Sequence, residues 1–202
     1  MNTENDKIKV KPEKGKKYFY YYPQLVVVIG VKNGKKVNLM PCVWNTGLSY
    51  DPFLYGVSVG TNRYTRKILK NAKYFSINFL NFKDIKLVRS LGRSSGSELN
   101  KVDEFNIDLD YSETSEVPLI KSAYYSLECK KKSTMLFGDH FLFVGEVEFM
   151  HLEKSISKDY LLNVNQVSPI LYLGVDNYIK IDPKSQKSLK NLPFHYKKKR
   201  NK

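Results

Sequence analysis

Three runs of the sequence decide the fold: NLMPCVW at 38–44, FLYGVSV at 53–59 and YFSINF at 74–79. In the second and third runs successive side chains alternate between two faces, which is the two-residue period of a half-buried strand. Between them, Ile68 and Leu69 begin a helical spacing of apolar residues. The segment therefore predicts two strands joined by a turn and a short helix.

The turn that ends the strand at 53–59 is rich in hydrogen-bond donors. Its hydroxyl, amide and guanidinium groups come from Thr61, Asn62, Arg63 and Thr65. The first backbone N–H groups of the following helix point at the same place, so this turn predicts a phosphate-binding site. The alternative is that Thr65 is only a helix N-cap and Arg63 only a solvated charge.

Length and composition favour a soluble, globular, cytoplasmic protein. The chain has 202 residues, enough for one domain with a sizeable core. No apolar run reaches the roughly 18 to 20 residues that span a bilayer, and the lysine-rich N-terminus is unlike a signal peptide. The two cysteines, Cys42 and Cys129, are far apart and lack zinc-site spacing. We expect buried thiols, with neither a disulfide nor a metal site.

The net charge of +14 is concentrated at the two ends of the chain. Residues 1–17 carry six lysines against three acids, and residues 184–202 carry eight lysines or arginines and no acid. Residues 18–183 keep only +3 of the total. We expect two basic tails flanking one folded domain at 18–183. Specific nucleic-acid binding is not expected, because no recognised nucleic-acid-binding motif accompanies the charge.

The order of predicted elements indicates a mostly β, antiparallel fold with a few short helices. The run LVVVIGV at 25–31 is a buried strand, Asn33-Gly34 a hairpin turn, and 36–39 the return strand. A helix is predicted at 85–91, and a strand at 124–129 is predicted to end in a lysine-rich turn. Closing the sheet into a barrel would remove its exposed edges. No Gly-x-Gly-x-x-Gly follows a strand, which excludes a Rossmann domain.

Further motifs lie beyond the phosphate turn: SSGSELNK at 94–101, GDHFLFVGEV at 138–147 and SPILYLG at 168–174. With NLMPCVW and the Arg63-x-Thr65 turn, their order resembles the FMN-binding split-barrel family of flavin reductases, in its flavoredoxin-like branch. The resemblance covers roughly residues 20–180. Val102 departs from it, because phenylalanine usually follows the lysine in that family.

The resemblance implies a Greek-key-like split β-barrel that forms a homodimer, with FMN, or FAD as the alternative, at the dimer interface. Along the isoalloxazine ring it places Asn38, Leu39, Met40, Pro41, Cys42 and Trp44. Around the phosphate it places Thr61, Asn62, Arg63 and Thr65, and it makes Ser58, Val59 and Gly60 further cofactor-binding residues. Lys101, on a loop with Ser95 and Gly96, would approach the pyrimidine edge of the flavin, and His140 would contact flavin or nicotinamide at the redox face.

Each of these residues also has an ordinary structural explanation. Met40 and Trp44 are apolar residues of the kind that fill cores, and Pro41 suits a bulge or an edge strand. Lys101 alone would be an exposed loop lysine, and His140 alone could cap a strand. The site assignment therefore depends on the family resemblance.

Three functions of different classes fit the sequence. The first is a flavin reductase in which NADH or NADPH passes hydride to bound flavin. The second is a flavoredoxin-like FMN electron carrier, without nicotinamide reductase activity of its own, that exchanges electrons with a redox protein partner. The third is a flavin-free module that binds nucleic acid or another anionic partner through the basic tails.

Overall fold

The computed structural model describes residues 7–34, 36–158 and 161–189; the side chains of Asn33 and Lys158 are outside this description. In chain order the strands are β1 (Gln24–Leu25), β2 (Val27–Asn33), β3 (Lys36–Cys42), β4 (Asn45–Tyr50), β5 (Phe53–Gly60), β6 (Tyr74–Phe79), β7 (Leu109–Tyr111), β8 (Pro118–Ile120), β9 (Tyr125–Phe137), β10 (His140–Leu152), β11 (Ser157–Lys158), β12 (Leu161–Leu162), β13 (Leu171–Gly174) and β14 (Asn177–Ile179). The α-helices are α1 (Tyr64–Asn71), α2 (Ile85–Arg93) and α3 (Lys101–Glu104), and short 3₁₀ turns span Phe82–Asp84, Lys154–Ile156 and Pro183–Ser185.

The main sheet has seven antiparallel strands in the order β3-β2-β6-β9-β10-β5-β4. Its two edge strands, β3 and β4, are consecutive in the chain and are joined by only Val43 and Trp44. The sheet must therefore curl until its edges meet. The Ser58 N–H of β5 donates to the Trp44 carbonyl over 2.8 Å at this junction. The prediction of a mostly β, antiparallel barrel is confirmed.

Two apolar cores pack against opposite faces of this sheet. Val27 and Ile29 of β2 belong to the first core, while Val28 belongs to the second, which also contains Val88 and Leu91 of α2. Since β2 is buried on both faces, its sequence is almost continuously apolar. The Asn33-Gly34 hairpin is confirmed by the pairing of β2 with β3. No helix in the described ranges is long and apolar enough to cross a bilayer.

Two details differ from the sequence-based expectations. The strand predicted at 25–31 is interrupted at Val26, whose N–H donates to the Ile170 carbonyl over 2.9 Å as the chain passes from a three-stranded sheet (β1-β13-β14) to the main one. The predicted lysine-rich turn is wrong, because Lys130–Lys132 lie within β9 and the turn falls at Gly138–Asp139. The β9–β10 pairing continues past the barrel, so burial does not mark where β9 ends.

Both cysteines are buried free thiols, as expected. The predicted domain boundaries stay predictions, and residues 190–202 of the basic C-terminal tail lie outside the described residues.

Candidate functional site

A hydrogen bond between two buried side chains joins edge strand β3 to helix α1. Asn38 is 2% exposed, and its Nδ2 donates to Oγ1 of Thr65 over 2.7 Å. The N-cap of α1 is Arg63, which makes no side-chain capping bond, so Thr65 lies inside the first turn. The alternative that Thr65 is merely an N-cap is therefore wrong. Arg63 is exposed beside the free N-terminal end of the helix.

The other polar atom of the Asn38 side chain is its amide oxygen, Oδ1. Its Oδ1 is buried and accepts no hydrogen bond from any residue of the described chain. A Cβ at Gly96 would lie 2.0 Å from this oxygen, so the loop carrying Ser95 and Gly96 passes directly against it. An unpaired buried polar atom costs about 1–3 kcal/mol, which a ligand N–H would recover.

Lys101 is a buried lysine rather than an exposed loop residue. It is 3% exposed, and its Nζ donates to the carbonyls of Leu39 (3.1 Å) and Leu91 (2.7 Å). Burial, and to a lesser extent the charge of Arg63, lower the pKa of Lys101 to about 8. Within the described ranges no carboxylate pairs with Lys101. Neither Arg63 nor Lys101 therefore has an ion-pair partner among the described residues.

His140 lies where the barrel seam meets the turn at 60–65. It is the first residue of β10, pairs with Gly60 of β5, and packs its ring 4.6 Å from the ring of Trp44. Its Nδ1 is 2.6 Å from an Asp139 carboxylate oxygen, and this contact lowers the pKa of Asp139. The Thr61 N–H donates to the Asp139 carbonyl over 2.9 Å. Trp44, His140 and the turn therefore form one wall.

Some of the predicted site residues have side chains that point away from this region. Leu39, Cys42 and Val59 are core residues, so only their backbone atoms can serve a ligand. Cys42 Sγ donates to the Trp44 carbonyl over 3.3 Å, and burial raises the pKa of its thiol to about 12. Met40 and Pro41 are partly buried. Pro41 lies on an edge strand, where its missing N–H costs no ladder bond.

The remaining residues of the turn lie close together. A Cβ at Gly60 would be 3.2 Å from Oδ1 of Asn62 and 3.6 Å from Nε2 of His140. Ser58 is partly buried one strand position before Val59.

Two residues that contact the candidate site were not predicted from the sequence. Tyr22 accepts a hydrogen bond from Nε1 of the half-exposed Trp44 over 3.1 Å, and Asp139 contacts the His140 ring. Asp139 could have been found, because it precedes His140 in the quoted Gly-Asp-His run. Tyr22 carries no local signal, since it reaches Trp44 from 22 residues away.

The fold is an antiparallel β-barrel in which Arg63 and Lys101 pair with no carboxylate of the described residues. The family model of the flavin reductase like domain matches residues 19–172. The chain belongs to this family.

Sequence and structural similarity to individual proteins supports this family membership. An uncharacterised protein of Archaeoglobus fulgidus is 35% identical over 128 residues, covering 63% of this chain and 72% of that protein. The crystal structure of an FMN-binding protein from Thermus thermophilus is similar with a TM-score of 0.77 and 32% identity, covering 92% of this chain and 100% of that one. A flavoredoxin from Methanosarcina acetivorans has a TM-score of 0.79 and 26% identity, covering 92% and 97%. The expected split-barrel fold is confirmed.

Proposed function

We propose that this protein binds FMN in the recess between β3, the turn at 60–65, the loop at 94–101 and the start of β10, and that it is an NAD(P)H-dependent flavin reductase. The observation that carries the proposal is the buried Lys101, unpaired with any carboxylate of the described chain and close enough to Arg63 for the two charges to interact. The 32% identical FMN-binding protein of Thermus thermophilus supports the choice of cofactor.

The donors at the turn suit a phosphate monoester. Arg63 offers a guanidinium that forms no ion pair with the described residues, at the N-terminal end of α1, where free N–H groups favour an anion. Thr65 accepts from Asn38, which leaves its own hydroxyl proton available to a phosphate oxygen. These groups would hold the phosphate while Thr61 and Asn62 close the turn around it.

The recess also suits the polar edge of an isoalloxazine ring. Lys101 uses two of its three N–H groups on carbonyls, so one remains for a ring acceptor. Asn38 Oδ1 is an acceptor that still lacks a donor. When bound, the flavin supplies the hydride-accepting chemistry. Lys101 would stabilise negative charge at the ring edge, because a cation is worth more in a site that excludes water.

The wall formed by Trp44 and His140 gives a nicotinamide an aromatic surface to pack on. The Asp139 carboxylate faces Nδ1 of His140, which favours the tautomer with its proton on Nδ1. Nε2 then faces the Gly60 side of the wall as a hydrogen-bond acceptor. On this proposal His140 orients the donor and no side chain acts as a nucleophile.

Arg63→Ala tests the phosphate assignment. Loss of a charge-assisted contact worth about 1.5–3 kcal/mol should weaken FMN binding by roughly ten- to 150-fold in a fluorescence-quenching titration. Lys67→Ala is the matched control, because it removes one exposed positive charge from the same helix. Equal FMN affinity in the two variants would show that the phosphate lies elsewhere.

An electron carrier is the second candidate, favoured by the likeness to a flavoredoxin with a TM-score of 0.79. It would bind FMN at the same residues and exchange electrons with a redox protein. Anaerobic addition of NADH or NADPH distinguishes the two functions, since only a reductase bleaches its flavin with a pyridine nucleotide.

We further propose a homodimer. The exposed large apolar side chains include Leu48 and Tyr50 of β4 and Met135, Leu136 and Phe137 of β9. Surfaces of this kind mark protein contacts. Light scattering coupled to gel filtration should give twice the 23.5 kDa chain mass. A mass of one chain at micromolar concentration would refute the dimer.

A further inference from the structure

A second cationic groove lies beside the proposed flavin site, between α1 and the β9–β10 hairpin. Its volume is about 320 Å³. It is lined by Arg66, Lys70, Lys131, Lys132, Ser133, Thr134, Phe141 and Phe143. Four of these side chains are cationic, two carry hydroxyl groups and none is acidic. None of them was assigned to the flavin, so this groove is a separate feature.

Arg66 is held in place by its Nε, while its two terminal amines make no hydrogen bond to the described residues. Arg66 Nε donates to the Thr61 carbonyl over 3.1 Å, and the guanidinium lies 5.8 Å from the centre of the Phe141 ring. Neither Nη group donates to any described residue. A guanidinium that is already oriented, with both terminal amines available, is well suited to a phosphate.

The lysines add charge that is mostly unneutralised. Lys131 Nζ donates to the Leu69 and Lys70 carbonyls, both over 2.7 Å, and burial lowers its pKa. Lys70 is exposed and forms no ion pair within the described part of the chain. Lys132 is the exception, since it pairs with Glu146 over 2.8 Å. Three cations therefore face the groove without a carboxylate partner.

The groove is next to the flavin-binding turn in both sequence and space. Arg66 follows Thr65 directly and bonds the Thr61 carbonyl, while Phe141 follows His140. A ligand held in the groove would thus lie beside one held at the turn. A volume of about 320 Å³ is at the small end for a ligand pocket and suits a mononucleotide-sized group.

We propose that this groove binds the adenylate part of a dinucleotide through its phosphates. The inference rests on the proposed function in one respect, namely that the rest of the dinucleotide reaches the flavin site. Both the nicotinamide donor and FAD contain an adenylate group with phosphates, so experiment decides which of the two supplies the group that the groove binds. The groove would extend the site from a mononucleotide to a dinucleotide.

The test uses 2′,5′-ADP as the probe, titrated calorimetrically into the flavin-free and the FMN-loaded protein. Lys70→Gln should weaken probe binding about two- to fivefold, and a double variant with Arg66→Gln about tenfold or more. Lys67→Gln, on the same helix but outside the groove, should leave it unchanged. Affinity should also fall as salt is raised.

The source is identified by comparing NADP⁺ and FAD across the same variants. If Lys70→Gln weakens NADP⁺ binding and leaves the ratio of FAD to FMN affinity unchanged, the groove takes the donor's adenylate. If that ratio falls instead, it takes the adenylate of FAD. No probe binding to the wild type, or equal weakening by Lys67→Gln, would overturn the groove assignment. Probe binding to the flavin-free protein does not depend on FMN. A wild type that fails to bind FMN would therefore refute the proposed function without refuting the groove assignment.

Discussion

Nδ2 of Asn38 lies 2.7 Å from Oγ1 of Thr65, and this buried hydrogen bond fixes edge strand β3 to the first turn of α1. The bond uses the amide donor of Asn38, and its amide oxygen accepts no hydrogen bond from the residues that the structure describes. One buried residue therefore joins the barrel edge to the helix and also carries an acceptor that no described residue uses. The hydrogen bond to Thr65 explains how a polar side chain is accommodated at a position that is 2% exposed.

Replacing the hydroxyl of Thr65 should destabilise the protein. Thr65→Val keeps the shape but leaves the buried Asn38 donor unpaired, at a cost of about 1–3 kcal/mol in the free energy of unfolding. Thr65→Ser keeps the hydroxyl and is the control. Urea denaturation measures both. Valine and serine variants of equal stability would mean that the bond contributes nothing to the fold.

Lys101 should make stability depend on pH. Its pKa is about 8 in the folded protein against an ordinary value of 10.5, so between these values the unfolded chain binds more protons. Its contribution to the free energy of unfolding therefore rises with pH across that window, and its burial cost is present in full below it.

The measurement is the difference in the free energy of unfolding between the wild type and Lys101→Met. Taking the difference removes the effect of the buried thiols of Cys42 and Cys129, which lower the free energy of unfolding as pH rises above their unfolded pKa. We expect this difference to grow in favour of the wild type from about pH 8 to 10. Lys86→Met, an exposed lysine on α2, should show a flat difference. A flat result for Lys101→Met as well would contradict the burial of its charge.

The two cysteines should be inert in the folded protein. Burial raises the pKa of each thiol to about 12, so almost no thiolate is present near pH 8. Labelling with a chromogenic disulfide reagent should be very slow in buffer and should reach two thiols per chain in denaturant. Rapid labelling of either thiol in buffer would mean that its site opens without global unfolding.

Gly96 and Gly92 form a matched pair of glycine sites. Gly96→Ala would place Cβ 2.0 Å from Oδ1 of Asn38, so the loop must move away and FMN binding should weaken at least tenfold. Gly92→Ala meets only Pro41 Cγ at 3.7 Å and lies in α2, where alanine should stabilise by about 0.5–1 kcal/mol. FMN titration and urea denaturation separate the two effects, and unchanged FMN affinity in Gly96→Ala would contradict the proposed recess.

Much of the fold was predictable because its signals are local. The strand β6 begins and ends where the alternation of YFSINF predicted, and the Asn33-Gly34 turn joins β2 to β3 as expected. The outer half of β9 gave no such signal. Its residues from Ser133 to Phe137 are all exposed, so neither face carries a core pattern, and only the pairing with β10 defines the strand.

Candidate residues could be selected from the sequence, but their contacts could not. Asn38 and Lys101 were selected, yet nothing in a polar loop shows that Lys101 would be 3% exposed. Its burial arises from the packing of α3 against β3 and from the carbonyl of Leu91, which lies ten residues away on α2. Side-chain partners across elements depend on tertiary structure, which sequence spacing does not report.

The central claim is that this recess binds FMN for reduction by a pyridine nucleotide. The direct measurement is the visible absorption spectrum of the full chain after it is mixed with FMN and passed over a desalting column, recorded anaerobically before and after addition of NADPH or NADH. We predict flavin bands that elute with the protein and bleach with at least one of the two nucleotides. Bound flavin that bleaches only with dithionite would replace the reductase with the electron carrier, and a protein that elutes without flavin would contradict the central claim.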